Sequence, residues 1–183
     1  VHIEQARSIA EIMGIEGRLA KSYFYLLNLL VIDGFHFSGR SRRPAMDKFN
    51  TLLNFGYSIL YSCFMGLIRK NGLSLGFGVM HQPHDYHAVL ASDLLVNRQE
   101  ILEEHFIEKE DGIFLTPEGI EIFSRAMRER ILEIHHYVEL DKNRYTFLYA
   151  ADQQIKSLIR SFEALDPAEY VSSYTGGGKD GLL

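Results

Sequence analysis

Hydrophobic side chains recur at three- and four-residue spacing along most of the chain, the pattern of helices that pack one face against a core. Two such stripes lie near the start. Gly14 and Gly17 interrupt the first and the second covers residues 19–30, so the sequence predicts two helices that meet near Glu16. Three further helices are predicted, over residues 46–70, from Thr116 to Ile134, and from Tyr145 to Leu165.

Extended structure has little support in the sequence. Residues 113–115 are the only plausible strand, and three residues are too few to form a sheet without a partner. Residues 34–44, which contain glycine, serine and proline, predict a loop. The predicted fold class is therefore all-α, with one helical domain over residues 1–165 and an extended tail over residues 166–183.

The segment 51–68 is apolar enough to raise the question of a membrane span. Small or polar residues recur along it every four positions: Asn50, Asn54, Ser58, Ser62 and Gly66. Such a stripe gains nothing from facing lipid, whereas a helix inside a protein can pack closely along it. We therefore predict a buried helix and no membrane association.

Composition and charge exclude some classes of function for this chain. The 183 residues are 46% hydrophobic and carry a net charge of −5, which excludes a disordered chain and a globally basic nucleic-acid binder. A local basic patch remains, because residues 38–50 hold four basic side chains against one acidic. The acidic stretch 100–111 is a poor DNA surface and is expected to face solvent or a protein partner.

The single cysteine, Cys63, excludes a disulfide framework and is expected to be an inert core residue.

Histidines and carboxylates cluster at residues 81–93, where imidazole and carboxylate together suit a divalent metal. The cluster contains His81, His84, Asp85, His87 and Asp93. Its spacing matches no recognised local site, so the spacing alone favours a polar surface loop with incidental histidines.

Three other features have both a structural and a functional interpretation. Glu16 lies between two glycines and either satisfies the first-turn N–H groups of a following helix or serves a site. The loop bearing Arg40, Arg42 and Arg43 is either a solvated surface or a phosphate contact. His135 and His136 are expected in a helix, one exposed and one half-buried.

Taken in order, these segments resemble the C-terminal helical domain of the CRISPR-associated integrase and endonuclease family Cas1. The resemblance is spread over an ordered set of short motifs and extends to about residue 165. The motifs are residues 12–17 (IMGIEG), 23–24 (YF), 42–44 (RRP), 52–61 (LLNFGYSILY), 76–77 (GF), 91–94 (ASDL) and 112–119 (GIFLTPEG).

The resemblance implies a function in CRISPR adaptation. Members of the family are cytoplasmic prokaryotic homodimers that bind short DNA and insert its 3′ ends into the CRISPR array by metal-dependent transesterification. They act with a small partner, Cas2, and have an N-terminal β domain that is absent here. The family's Mg²⁺ or Mn²⁺ ligands correspond to Glu16 and His81, with Asp93 as the nearest candidate for the remaining acid. Arg40, Arg42 and Arg43 are then expected to bind nucleic acid.

The sequence departs from the family pattern at one ligand. The family places its second acid three residues after the aspartate that matches Asp93, but Val96 stands there and cannot bind a metal. The residues from Asn97 onward resemble a later part of the family sequence, so a helix of about four turns is missing between Leu94 and Asn97. Either the chain lacks this helix, or the chain is not covalently continuous between Leu94 and Asn97. We predict the second, which a Cα–Cα distance far above 3.8 Å between consecutive residues would reveal.

Three hypotheses follow from the sequence. The first is an active integrase, and the second is a non-catalytic DNA-binding or assembly protein that kept the fold but lost the acid. The third is an unrelated helical metal hydrolase that uses His81, His84, Asp85 and His87 and needs no Glu16.

Overall fold

The computed structural model describes residues 5–75, 102–136 and 143–170. Four helices account for most of these residues: α1 (Ile9–Asn28), α2 (Lys48–Lys70), α3 (Pro117–Leu132) and α4 (Phe147–Ala164). A short 3₁₀ helix, Pro167–Glu169, follows α4. Two antiparallel hairpins complete the described elements, β1 (Phe106–Lys109) with β2 (Gly112–Leu115), and β3 (Ile134–His136) with β4 (Arg144–Thr146).

The described residues divide into two compact units. The first unit contains residues 5–57 and 102–124, and the second contains residues 58–75, 125–136 and 143–170. Helices α2 and α3 each contribute residues to both. The predicted tail lies largely outside the described residues, so the boundary at residue 165 stays a prediction.

Helix α1 begins at a side-chain cap. The hydroxyl of Ser8 accepts a hydrogen bond from the first-turn N–H of Glu11, and the Glu11 carboxylate accepts one from the N–H of Arg7, the residue before the cap. The helix then continues through Gly14 and Gly17 to Asn28 without a break. The predicted junction near Glu16 is therefore wrong, because a glycine costs a helix only about 1 kcal/mol, too little by itself to end a helix of 20 residues.

The core of the first unit gathers around the N-terminal half of α2. Asp47 accepts a hydrogen bond from the N–H of Asn50 at 2.6 Å, which caps the helix start. Phe37 and Phe49 stack with their ring centroids 4.1 Å apart. The fully buried apolar side chains of this unit are Phe35, Phe49, Leu52, Leu53, Leu102 and Phe123.

The hairpin β1–β2 corrects the all-α prediction in part. Most described residues are helical, as predicted, but the fold also contains short strands. The predicted strand 113–115 finds its partner in Phe106–Lys109, across a two-residue connection formed by Glu110 and Asp111. Exposed side chains along the hairpin, including those of Glu108 and Asp111, confirm the expected solvent exposure of much of this acidic stretch.

Helix α3 begins as the sequence predicts. The Thr116 hydroxyl accepts a hydrogen bond from the N–H of Gly119, and Pro117 occupies the first helical position. The helix ends at Leu132, however, so the predicted extension to Ile134 is wrong. Ile134 opens β3, where its partner in the register is Thr146.

In the second unit α4 contacts the C-terminal half of α2, where the ring centroids of Phe64 and Phe147 lie 5.9 Å apart. The buried apolar side chains of this unit are Leu60, Ala126, Met127, Ile131, Ala150, Ala151 and Ile155. Helix α4 starts two residues later than predicted, because Tyr145 belongs to β4 and the Thr146 hydroxyl caps the helix by accepting from the N–H of Tyr149. The helix stops before Pro167 as expected, with Leu165 in a left-handed conformation.

Helix α2 is the one helix among the described residues that is long and apolar enough to cross a membrane by length and composition. Its mean hydropathy over the best window is 1.4, and 33% of that window is buried inside the protein. The predicted close packing along the polar stripe holds only at its N-terminal end, since Ser58 and Gly66 are exposed. Asn50 of the stripe is completely buried, whereas Ser62 is exposed.

Candidate nucleic-acid interface and metal site

Glu16 lies in the middle of α1 with an exposed side chain. Because the helix is continuous there, its carboxylate is not needed to cap first-turn N–H groups, and the structural interpretation offered by the sequence loses its basis. The exposed position of this carboxylate on α1 is compatible with a ligand role, which stays a prediction.

The other predicted metal ligands lie outside the described residues. His81 and Asp93 both fall in the segment 76–101, as do Leu94 and Asn97. Within the described part of the chain, no group of three or more histidine, cysteine, aspartate or glutamate side chains could hold a metal. A shared ion bound by Glu16 and His81, and a break in the chain between Leu94 and Asn97, stay predictions.

The basic loop, defined as residues 39–46, is fastened to α2 by a buried asparagine. Asn50 is 0% exposed. Its side-chain oxygen accepts hydrogen bonds from Arg40 Nη1 at 2.9 Å and from the N–H of Ser41 at 3.0 Å. Its amide nitrogen donates to the carbonyl of Gly39 at 2.9 Å and to Asp47 Oδ2 at 2.7 Å. One side chain thus satisfies four polar groups where the loop enters the helix.

A second asparagine holds the crest of the basic loop. Asn54 lies one turn beyond Asn50, and its Nδ2 donates to the carbonyl of Arg42 at 2.6 Å. The side chains of Arg42 and Arg43 are exposed. The loop therefore presents two guanidinium groups, and hydrogen bonds from α2 hold its backbone in place.

The hairpin β1–β2 fastens the far end of the basic loop. The N–H of Ile113 donates to the carbonyl of Ala45 at 2.9 Å, and the Thr51 hydroxyl donates to the carbonyl of Ile113 at 2.8 Å. Gly112 makes this approach possible, since a Cβ there would lie 2.9 Å from the Ala45 oxygen and its φ of +141° suits only glycine. Loop, helix and hairpin form one hydrogen-bonded assembly.

Arg40 differs from its two neighbours in the basic loop. Its side chain is half-buried, donates from Nη1 to Asn50 and to the carbonyl of Ser41, and lies 5.3 Å from the ring centroid of Tyr57. These contacts give Arg40 a structural role within the loop. Its predicted contact with nucleic acid stays a prediction, and Arg42 and Arg43 are better placed to make one.

Sequence reasoning missed a polar cluster in the second unit. Asp152 is 5% exposed, and its carboxylate accepts hydrogen bonds from Asn71 at 2.8 Å and Lys70 at 3.2 Å and lies 2.8 Å from Lys156. Burial alone would raise the pKa of Asp152, but the bonds from Lys156, Asn71 and Lys70 outweigh it and lower the pKa to about 2. The cluster ties the C-terminal end of α2 to α4. Its only sequence signal is the i, i+4 pair of Asp152 and Lys156.

The two remaining candidates from the sequence are structural. His135 is half-buried and His136 exposed, as expected, but both lie in β3 rather than in a helix. Arg130 bonds to Glu133 and to His135 Nε2, and its hydrogen bond lowers the pKa of Glu133. Cys63 is half-buried, and burial raises the pKa of its thiol, which makes it a weak nucleophile.

Comparison with known protein families identifies the chain. The family model described as CRISPR associated protein Cas1 matches residues 1–95, a stretch that contains Glu16, the basic loop, His81 and Asp93. The chain belongs to the Cas1 family. The expected resemblance is thereby confirmed, and the unrelated metal hydrolase is excluded as an explanation of the sequence.

Curated relatives within the Cas1 family carry the name CRISPR-associated endonuclease Cas1. The protein of Mycobacterium tuberculosis is 38% identical over 186 residues, which cover 92% of this chain and 55% of the relative. The protein of Thermotoga maritima is 32% identical over 159 residues, which cover 75% of this chain and 50% of the relative. The chain thus spans about half the length of the curated relatives it matches.

Solved Cas1 structures share the fold. A Cas1 protein from Thermotoga maritima superposes with a TM-score of 0.76 at 24% identity, covering 93% of this chain and 57% of that one. A chain of a Cas6-RT-Cas1–Cas2 complex gives 0.75 at 26% identity, covering 92% of this chain and 20% of that one. A casposase bound to its integration product gives 0.74 at 23% identity, covering 90% and 51%.

Proposed function

We propose that this protein is a DNA integrase and nuclease of CRISPR adaptation, which joins short DNA to the CRISPR array by transesterification. In this reaction a DNA 3′-hydroxyl attacks a phosphodiester of the array. One P–O bond forms, the bond to the array's own 3′ oxygen breaks, and that oxygen leaves as a new 3′-hydroxyl. The number of phosphodiesters is unchanged, so the reaction needs no energy source.

The observation that carries the proposal is the family match over residues 1–95, which joins Glu16, the basic loop and His81 in one segment. The curated relatives are named endonucleases, and the structural neighbour bound to an integration product shares the fold. These observations support DNA cleavage and joining as the chemistry of this chain.

Mg²⁺ or Mn²⁺ is the proposed cofactor, with Glu16 and His81 as ligands and Asp93 as a third candidate. A carboxylate oxygen and an imidazole nitrogen form a donor set that suits these ions, and the exposed position of Glu16 on α1 fits such a role. When bound, the ion neutralises charge that develops on the attacked phosphate. Glu16 and His81 contribute by holding their donor atoms in place.

DNA is the proposed ligand of the basic loop. Guanidinium groups bind phosphate oxygens through paired N–H donors, and Arg42 and Arg43 are exposed on a loop fixed by Asn50 and Asn54. Contacts of this kind read the DNA backbone rather than its bases. Binding is therefore expected to tolerate any sequence and to weaken strongly with salt.

The proposed partners are a second copy of this chain and a Cas2 protein, in the cytoplasm of a prokaryote and without a membrane. Two structural neighbours are chains of complexes whose descriptions include Cas2, at 26% identity each. The fold shared with them supports a Cas2 partner here.

Metal-dependent cleavage of a short labelled DNA tests the proposed function. The full chain should cut in Mn²⁺ or Mg²⁺ and not in a chelator, and Glu16→Ala and His81→Ala should each abolish cutting with the thermal unfolding midpoint retained. Mn²⁺ titration followed by electron paramagnetic resonance should show weaker binding in both variants. Equal Mn²⁺ affinity in wild type and variants would contradict the ligand assignment.

A second candidate function is a non-catalytic DNA-binding or assembly protein, and two observations favour it. Val96 replaces the expected acid. The alignment with the Mycobacterium tuberculosis relative runs over 186 positions but takes in 92% of 183 residues, about 168, so about 18 positions have no counterpart here. DNA binding by the full chain without cleavage in either ion would establish this second function.

A further inference from the structure

We propose that Asn54 is a positioning residue for DNA binding, which sets the direction in which Arg42 and Arg43 leave the basic loop. The inference rests on the proposed function, because it assumes that these arginines contact phosphate. It assigns to Asn54 an effect on DNA affinity that passes through the loop backbone and involves no contact between Asn54 and DNA.

The hydrogen bond from Asn54 acts on the peptide that joins the two exposed arginines. Its Nδ2 lies 2.6 Å from the carbonyl oxygen of Arg42, and the same group is 3.4 Å from the carbonyl of Ser41. A peptide group is planar, so holding the Arg42 carbonyl also fixes the orientation of the Arg43 N–H. The two Cα–Cβ directions on either side of this plane are thereby restricted.

Other hydrogen bonds anchor the basic loop on either side of this peptide. Asn50 holds Gly39 and Ser41 on the entry side, and Ile113 holds Ala45 on the exit side. The bond to Arg42 lies between these two anchors. Losing it removes a contact that holds the crest of the loop, while both ends of the loop remain attached.

A fixed crest strengthens binding by lowering the ordering cost. A loop that already holds its arginines in place loses less conformational entropy when phosphate binds than a loop that must be ordered by the ligand. Asn54→Ala removes the donors and keeps the helix, because alanine has the highest helix propensity. The fold should therefore survive the substitution, whereas the direction of the arginines should not.

A double-mutant cycle on the full chain tests the proposal, with a fluorescent short DNA duplex with unpaired 3′ ends as the probe. Asn54→Ala should weaken binding about three- to tenfold, the effect of one lost hydrogen bond. In a chain that already carries Arg42→Ala and Arg43→Ala, the same substitution should change the affinity less than twofold, since no arginine remains to be positioned. A purely structural role would give equal losses in both backgrounds.

The matched control is Ser62→Ala, on the same polar stripe of α2. The Ser62 hydroxyl is exposed and donates to the carbonyl of Ser58 within the helix, so its loss should leave DNA affinity unchanged. An Asn54→Ala protein that binds as tightly as wild type, while Arg42→Ala with Arg43→Ala weakens binding, would overturn the inference and leave the proposed function standing. A wild-type chain that fails to bind the duplex would overturn both.

Discussion

At the scale of single residues, the three arginines of the basic loop divide into two kinds. Arg40 is half-buried against Asn50 and Tyr57, whereas Arg42 and Arg43 are exposed. A buried hydrogen-bond acceptor that loses its donor carries a desolvation cost, and an exposed guanidinium group carries none. Stability and DNA affinity should therefore respond to different members of this set.

Arg40→Ala should lower the free energy of unfolding by about 1–3 kcal/mol, because part of the buried Asn50 oxygen's bonding is lost. Arg42→Ala with Arg43→Ala should leave unfolding within about 0.5 kcal/mol of wild type and reduce the salt dependence of DNA binding by about one phosphate contact per arginine. Urea denaturation and DNA titration at several salt concentrations measure the two effects. Equal salt slopes would show that neither arginine touches phosphate.

Asp152 gives a second prediction at the residue scale, in its dependence on pH. Its pKa in the folded protein is about 2, below the 3.8 of the free side chain, so it stabilises the fold above pH ~4 and loses that contribution as the pH falls toward ~2. Asp152→Asn should therefore be less stable than wild type by about 2 kcal/mol near neutral pH, and the difference should shrink on acidification. Denaturation of both proteins across this range provides the comparison, and a difference independent of pH would contradict the prediction.

At the scale of elements, some boundaries were predictable and others were not. The start of α3 could be predicted because Thr116 and Pro117 act locally, through a side-chain cap and a fixed φ. The continuity of α1 through Gly14 could not, since a propensity cost of about 1 kcal/mol per glycine does not decide whether a helix ends. Strands β3 and β4 hold three residues each, too few for an alternating pattern to stand out.

Two glycines in helices should respond oppositely to alanine. A Cβ on Gly119, in the first turn of α3, would lie 2.9 Å from the Cβ and carbonyl oxygen of His105, so Gly119→Ala should destabilise the fold. Gly66, in α2, has no atom within 4 Å of the same position, so Gly66→Ala should stabilise by up to about 1 kcal/mol. Thermal unfolding of the two variants tests this pair, and a destabilised Gly66→Ala protein would show that the stripe on α2 packs closely there.

At the scale of the whole molecule, the sequence predicted the family because the resemblance uses motifs spread along the chain. The hydrogen bonds that hold one of those motifs in place could not be predicted from the sequence. That Asn50 and Asn54 hold the basic loop depends on a register between α2 and residues 39–42, and pattern alone sets no such register. The Asp152 cluster was missed for the same reason, since 81 positions separate Asp152 from Asn71.

The chain spans about half the length of its curated relatives, so its activity has to be measured on this chain itself. The most direct measurement is the joining of a labelled short DNA to a plasmid that carries a CRISPR array, with Cas2 and Mn²⁺ present. The proposed function predicts a labelled joined product from the wild-type chain and none from Glu16→Ala, with DNA binding equal in both. A wild-type chain that binds DNA and forms no joined product would contradict it, as would a Glu16→Ala chain that joins at the wild-type rate.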